Sequence, residues 1–472
     1  MDSEPSLNRR KVLIAGAGAL ALARGARPAR AAEAKPNIVY IMADDLGYAD
    51  VSCYGRREYT TANIDRIASG GMRFLQGYAN SAVCSATRTA LITGRYQYRL
   101  PIGLEEPLNS RDVGLPPSVP TLPGQLKKAG YQTALVGKWH LGAPPKYGPT
   151  KSGYDRFYGF VPGSSDYFNH DANLMDGDEK AHDAGYLTTL LGARAVALVN
   201  EFAARQPFFL SLHFNAPHWP WEGPGDEEES RRVTAKGSAI TDFDGGSLAT
   251  YAKMVLTMDE AIGRVLGALE ARGIAENTIV IFTSDNGGER FSDRWPFSGM
   301  KTELLEGGLR IPAIVRWPGR VRAGSTSQQV MISMDWLPTL LAAAGGAPDP
   351  SSPPDGMNLA EQLRSGAPVS RKLYWRYKNN AQEALRDGDW KYLKIKEQTF
   401  LFNVVDDPLE RANMKLRRKD IYARLTADYR TWNAAMLPID PLSSTGGFGS
   451  NELADHFGTP ARERAPVATG GQ

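Results

Sequence analysis

Cys84 heads the string Cys84-Ser85-Ala86-Thr87-Arg88, and Thr89-Ala90-Leu91-Ile92-Thr93-Gly94-Arg95 follows at once. The spacing sets one sulfur and one permanent cation four residues apart. In a helix, Cys84 would sit at the positive end and Arg88 on the same face, so the sequence predicts an anion-binding position beside the sulfur. A small buried hydrophobe ahead of an Ala/Leu/Ile helix would use the same residues, and the segment alone leaves both readings open. A thiolate hydrolase of the Cys-x5-Arg type fails on spacing, because Ala90 stands where its arginine is needed.

Oxygen donors collect elsewhere in the chain. Asp44, Asp45 and Asp285, with the amide oxygen of Asn286, each follow an apolar run. Gathered unpaired on one low-dielectric rim, the three carboxylates would repel one another, and a hard divalent cation resolves that repulsion. Oxygen-only ligands favour calcium, with magnesium possible, over zinc. Taken singly, Asp-Asp after a strand also serves as a turn or cap, and Asp-Asn-Gly-Gly as a loop. Their shared position at strand ends is what favours a metal site. Arg88, Lys138, His140, His218 and Lys301 would surround that cation. Cations and imidazoles beside a divalent metal suit a tetrahedral oxyanion held through in-line displacement.

The elements that must position these groups are legible as apolar runs with abrupt polar ends. Asn37 to Met42 ends in Ala43-Asp44-Asp45, and Tyr131 to Val136 in Gly137-Lys138-Trp139-His140. Phe208 to Phe214 ends in Asn215-Ala216-Pro217-His218, and Thr278 to Ser284 in Asp285-Asn286-Gly287-Gly288. All four read as buried strands. Helical signals lie between them at Thr121 to Gly130 and at Tyr251 to Gly273, the second with Val255, Met258, Ile262, Val265, Leu266 and Leu269 on one face. The expectation is an α/β fold, a large mostly parallel sheet sandwiched by helices, with ligands beyond the carboxyl ends of the strands. A smaller C-terminal α+β unit should follow, with strands at Lys372 to Tyr377 and Glu383 to Ile395 and a helix from Asp420 to Met436. The expected divisions are 1–34, 35–345, 346–441 and a polar tail, 442–472.

Charge and cysteine usage narrow the class. The formal net charge is +3, but the basic excess belongs to the first 34 residues, so nothing suggests a nucleic-acid footprint. That leader carries Arg9-Arg10-Lys11, a short Gly/Ala/Leu run and Ala-x-Ala options, which reads as a twin-arginine export signal. The expected product is a soluble protein of the periplasm or the medium, with no membrane span, since no apolar run is long enough. Only Cys53 and Cys84 occur, too few for a disulfide framework, and Cys53 reads as a spare buried thiol.

In chain order, the motifs are Ala43-Asp44-Asp45-Leu46-Gly47, Cys84 to Arg88 with Thr93-Gly94-Arg95, Gly137 to Gly142, Asn215 to His218, Ser284 to Gly288 and the Lys301 segment. Together they resemble the formylglycine-dependent type I sulfatases of the alkaline-phosphatase-like superfamily. Asp387 to Tyr392 and Leu401-Phe402-Asn403 extend the likeness, and Phe214 to Trp221 is similar to the branch of arylsulfatase A and N-acetylgalactosamine-6-sulfatase. The resemblance implies that a maturation enzyme oxidises Cys84 to formylglycine. It also implies a calcium ion held by Asp44, Asp45, Asp285, Asn286 and the altered Cys84 side chain. One hydroxyl of the hydrated aldehyde would attack sulfur while Arg88, Lys138 and Lys301 hold the sulfate oxygens. His218 would assist the departing alcohol, and His140 would take a proton from the second hydroxyl. The substrate would be a sulfated sugar or a small aryl sulfate, and Trp219 and Trp221 would either stack on its ring or pack a lid. The polar stretch Gly223 to Gly246 reads as a loop beside the mouth. The motif departs from the usual one at Ala86, where proline is common, and at Thr87, where serine is. Alanine there falls within the broader pattern that includes the oxygen-independent radical maturation system. Two alternatives stand beside this reading. A phosphate or phosphonate monoester hydrolase would want added cations or a second metal, for which no surplus His/Asp cluster exists. A non-catalytic anion-binding relative would keep Cys84 as a thiol.

Overall fold

All four apolar runs form strands, and the four lie side by side in parallel. Asn37–Ala43 sits between Thr278–Ser284 and Phe208–His213, and Gln132–Lys138 flanks the last. This computed structural model describes residues 1, 34–104, 112–204, 207–236, 245–441 and 443. Arg156–Phe160 adds a fifth parallel strand, and antiparallel Leu174–Asp176 and Glu179–Lys180 close that edge. At the other edge Ala313–Arg316 runs antiparallel to Thr278–Ser284, followed by Met72–Phe74 and Ser325–Ser327.

The central strand shows why both faces are covered. Val39, Ile41 and Ala43 point into one core, shared with the helices Ala62–Ser69, Leu187–Phe202 and Leu248–Ala271. Ile38, Tyr40 and Met42 point into the other, against Cys84–Thr93, Leu122–Lys128 and Trp336–Ala343. Side chains alternate across a strand, so an unbroken apolar run needs helices on both sides. Each fully buried Val, Leu, Ile or Phe contributes about 1.5–3 kcal/mol, which leaves the sheet able to carry a costly polar rim. The predicted helices start at caps: Thr121 Oγ1 accepts from Gly124 N at 3.2 Å, and Ser247 Oγ accepts from Thr250 N at 3.0 Å. All six residues expected on the inner face of the second helix are buried.

The C-terminal unit is a four-stranded antiparallel sheet in chain order, Lys372–Tyr377, Gln382–Asp387, Trp390–Ile395 and Gln398–Asn403. One face packs Leu385, Tyr392 and Leu401 against Ile421, Leu425 and Tyr429 of the helix Lys419–Ala434. The other packs Leu373, Trp375, Ala384 and Phe402 against Val83, Ala86 and Ala90 at the Cys84 helix. Buried Lys391 bridges Glu306 and Glu410, each at 2.9 Å.

Two expectations need adjustment. The stretch Gly223 to Gly246 contains a helix, Glu227–Lys236, whose acidic first turn and basic last turn complement the helix dipole; residues 237–244 lie outside the described residues. Cys53 is half-buried, not buried, because it lies in a short 3-10 turn, Ser52–Tyr54, near the surface. The leader and tail fall outside the described residues, except Met1, Ala34 and Ser443. No helix among the described residues is long and apolar enough to cross a membrane.

Candidate active site

Strand register builds the rim. Ala43 pairs with Ser284, so the residues that follow, Asp44-Asp45 and Asp285-Asn286, emerge together. Asp285 N donates to the Ala43 carbonyl at 3.2 Å, and Asp45 N donates to Asp285 Oδ1 at 3.2 Å. Lys138 ends its own strand, and His140 follows two residues on. Asp45 and His140 hold left-handed backbone, with φ of 62° and 56°, a conformation that costs non-glycine residues about 1–3 kcal/mol and that surrounding contacts must enforce. Beside Lys138, Gly137 has φ of 110°, and a Cβ there would lie 1.8 Å from the His213 carbonyl. Only glycine lets these two strands meet at the rim.

Cys84 is the first residue of a helix whose ten residues are all buried. Thr87, one of the two departures from the usual motif, closes the turn into that helix. Its Oγ1 accepts from Ser81 N at 2.9 Å and donates to Ser81 O at 3.1 Å. The Cys84 thiol donates to Asp44 Oδ1 at 3.3 Å and lies 3.9 Å from Asp45 Oδ1. Arg88 meets the sulfur's own partner, with Nη2 3.7 Å from Asp44 Oδ1. Its Nε and Nη2 hold Asp285 Oδ2 at 3.2 and 2.8 Å, because a buried carboxylate claims the nearest guanidinium. Lys138 Nζ lies 2.5 Å from Asp44 Oδ2, and Lys301 Nζ lies 2.7 Å from Asp45 Oδ2 and 3.2 Å from His218 Nε2.

Three carboxylates and three cations thus meet within one buried cluster. Burial and the neighbouring Asp285 charge push the Asp44 carboxyl up to about 7. Burial also opposes ionisation of Asp285, but Arg88 and Lys138 outweigh it and hold that carboxyl well below the usual range. Burial, then the Asp285 and Asp44 charges, pushes the Cys84 thiol well up, so the plain sulfhydryl is no thiolate at neutral pH. Burial, reinforced by Lys301 for His218 and by Lys138 for His140, keeps both imidazoles neutral. His218 Nδ1–H donates to the Trp219 carbonyl at 2.7 Å, which leaves the Nε2 lone pair toward Lys301.

A cation fits this donor set. Ligand atoms of Asp44, Asp45, Cys84 and His218 lie within 4.8 Å of one another. Asn286 Oδ1 is buried and has no hydrogen-bond partner among the described residues, while its Nδ2 donates to Asp45 Oδ1 at 2.7 Å. An orphaned amide oxygen beside crowded carboxylates leaves one more donor available to a metal ion.

Residues 36–347 match the family model described as Sulfatase. The chain belongs to the sulfatase family. It is 33% identical over 393 residues to N-acetylgalactosamine-6-sulfatase of Rattus norvegicus, covering 75% of this chain and 71% of that one. To arylsulfatase A of Homo sapiens it is 34% identical over 425 residues, covering 81% and 77%. The crystal structure of Ps i-CgsB, also solved in complex with a neocarrahexaose, is 30% identical with a TM-score of 0.77 over 84% of this chain and 92% of that one. The protein is therefore a sulfatase, a hydrolase of sulfate esters.

Around the sulfatase centre, several residues not singled out from sequence complete the packing. Gly163 approaches the His140 ring so closely that a Cβ would stand 2.8 Å from Cε1. His213 meets Arg88 on its inner side, with Nδ1 3.4 Å from Nη1. Trp219 and Trp221 are almost fully buried, Trp219 against His218 and Trp221 against Phe291, so they pack the wall. The His218 loop is tied to the segment 165–167: Asn215 Nδ2 donates to Ser165 O at 2.7 Å, Tyr167 Oη to His218 O at 2.9 Å, and Tyr167 N to Glu222 Oε2 at 3.2 Å.

Burial, then the Asp166 charge, raises the Glu222 carboxyl to about 9. A carboxyl raised on folding contributes fully below the ordinary carboxylate range, and that contribution declines as pH rises toward about 9. Glu222→Gln is expected to raise the thermal midpoint only slightly at pH 5 and by about 2 °C or more at pH 8.5. Equal midpoint shifts at both pH values in thermal unfolding would refute a proton held at this position.

Proposed function

We propose that this sulfatase acts through a formylglycine made from Cys84, beside a calcium ion held by Asp44, Asp45, Asp285 and Asn286. The observation that carries the reading is the seat of Cys84 Sγ, 3.3 Å from Asp44 and 3.9 Å from Asp45, inside the ring of Arg88, Lys138, Lys301 and His218. The aldehyde would supply, once hydrated, two hydroxyls on one carbon: an oxygen nucleophile for sulfur and a second proton whose loss would release sulfate. Calcium, when bound, acidifies and orients an oxygen nucleophile.

The chain's own residues do the rest. Asp44, Asp45 and Asp285 balance Arg88, Lys138 and Lys301 charge for charge, so a bound dication leaves the site positive and attractive to a sulfate ester. Arg88, Lys138 and Lys301 hold the equatorial oxygens as charge redistributes. His218, with the Lys301 ammonium 3.2 Å from Nε2, relays a proton to the departing alcohol. His140 is buried and neutral, with Nδ1 unpartnered among the described residues, and accepts the proton from the second hydroxyl.

Sulfated sugars are the substrate class this reading favours, with small aryl sulfates second. The N-acetylgalactosamine-6-sulfatase relative and the oligosaccharide seen in Ps i-CgsB support the first, and the arylsulfatase A relative supports the second. The protein would be exported through its leader and matured at Cys84 by a dedicated enzyme. The test is a panel of sulfated monosaccharides, an aryl sulfate and a phosphate monoester on matured protein. Sulfate turnover is expected to dominate, and phosphate turnover exceeding it would overturn the function.

A further inference from the structure

We infer that His213 is a positioning residue that locks Arg88, an inference that rests on the reading of Arg88 as a sulfate-holding group. The guanidinium has two sides. Nε and Nη2 are taken by Asp285, and Nη1 points inward, donating to the Lys138 carbonyl at 3.2 Å and lying 3.4 Å from His213 Nδ1. Without the inner contacts the guanidinium could pivot about its bonds to Asp285. His213 is well placed to stop it. It is the last residue of Phe208–His213, buried, and Tyr40 packs edge-on against its ring with centroids 6.2 Å apart and planes at 69°. Tyr40 in turn is braced edge-on by Trp336 at 6.4 Å.

The chemistry of the contact sets the tautomer. A guanidinium offers only protons, so in this contact His213 Nδ1 presents its lone pair, and the ring proton falls to Nε2, which is buried with no partner among the described residues. Burial and the adjacent Arg88 charge hold the imidazole at about 3, so it stays an acceptor throughout the neutral range. The Lys138 carbonyl, 3.3 Å from the same Nδ1, accepts from Arg88 Nη1 and not from the ring, so the guanidinium is what joins the two. His213 itself sits on the inner side of the guanidinium and acts through Arg88.

Asparagine and glutamine separate this role from simple core filling, because an asparagine amide reaches the place of Nδ1 while a glutamine amide reaches the place of Nε2. His213→Asn is expected to keep kcat/KM within about 3-fold, whereas His213→Gln and His213→Leu are expected to lose about 10- to 100-fold, the range of a hydrogen bond to a charged group. The same ordering should appear in the affinity for inorganic sulfate measured by calorimetry. In an Arg88→Ala background, His213→Leu should cost nothing further. Equal losses for Asn, Gln and Leu, or a full loss that persists in the Arg88→Ala background, would overturn the inference while leaving the site reading intact. An Arg88→Ala variant with unaltered turnover would instead remove the reading beneath it. Thermal unfolding of each variant separates lost positioning from lost fold, and a variant whose loss of activity follows its loss of folded protein counts against the inference.

Discussion

Cys84→Ala is expected to lower sulfate ester turnover by about 10⁴-fold or more while the chain folds and still binds calcium. The magnitude follows from removing the only group at this position that can become an oxygen nucleophile. The thiol cannot substitute for it, since a sulfur offers no second hydroxyl through which a bound sulfate could be released. Turnover in wild-type preparations should therefore scale with the fraction of chains carrying the aldehyde, counted by the mass of the peptide containing residue 84. Fully active protein with an unmodified sulfhydryl there would end the proposal.

Removing the cation is the second large effect. Chelation is expected to abolish turnover, and calcium should restore it better than zinc, because the donors are oxygens. Asp285→Asn should weaken calcium binding by about 100-fold or more with the fold retained, and undiminished affinity would exclude Asp285 as a ligand. That variant also loosens Arg88, which Asp285 holds through Oδ2. Asn286→Ala separates the two, since it removes the unpartnered Oδ1 and leaves the Arg88 contacts in place. The calorimetric result has a thermal counterpart: calcium at a hundred times its dissociation constant adds about 2.7 kcal/mol to stability, and both variants should lose most of that increment.

The central strands are readable in the sequence because they are buried on both sides, and burial on both sides writes an uninterrupted apolar run. For the same reason the rim is readable: Asp44, Lys138, His218 and Asp285 are polar residues where such runs stop. Short strands of two or three residues toward the sheet's margins, such as Met72–Phe74, Ser325–Ser327 and Glu179–Lys180, carry no comparable pattern, since pairing with a neighbour defines them. The helix Leu187–Phe202 escapes a sequence reading for a related reason, as its apolar residues spread over a wide face against two layers and lack a sharp start. At the centre, residue types are visible but pairings are not. The sulfur and Arg88 share a helix face as the spacing requires, yet the guanidinium turns to Asp285, a residue 197 positions away. His213 carries no signal, because a histidine closing an apolar run looks like any other until its neighbour is seen.

The enclosure of the Cys84 helix has a consequence for the order of events in the life of the chain. Its outer wall, Leu373, Trp375, Ala384 and Phe402, belongs to a segment that leaves the ribosome long after the cysteine does. The face carrying Val83, Ala86 and Ala90 is thus covered only once those strands arrive, and a catalyst that has to grip the chain from that face can do so only before then.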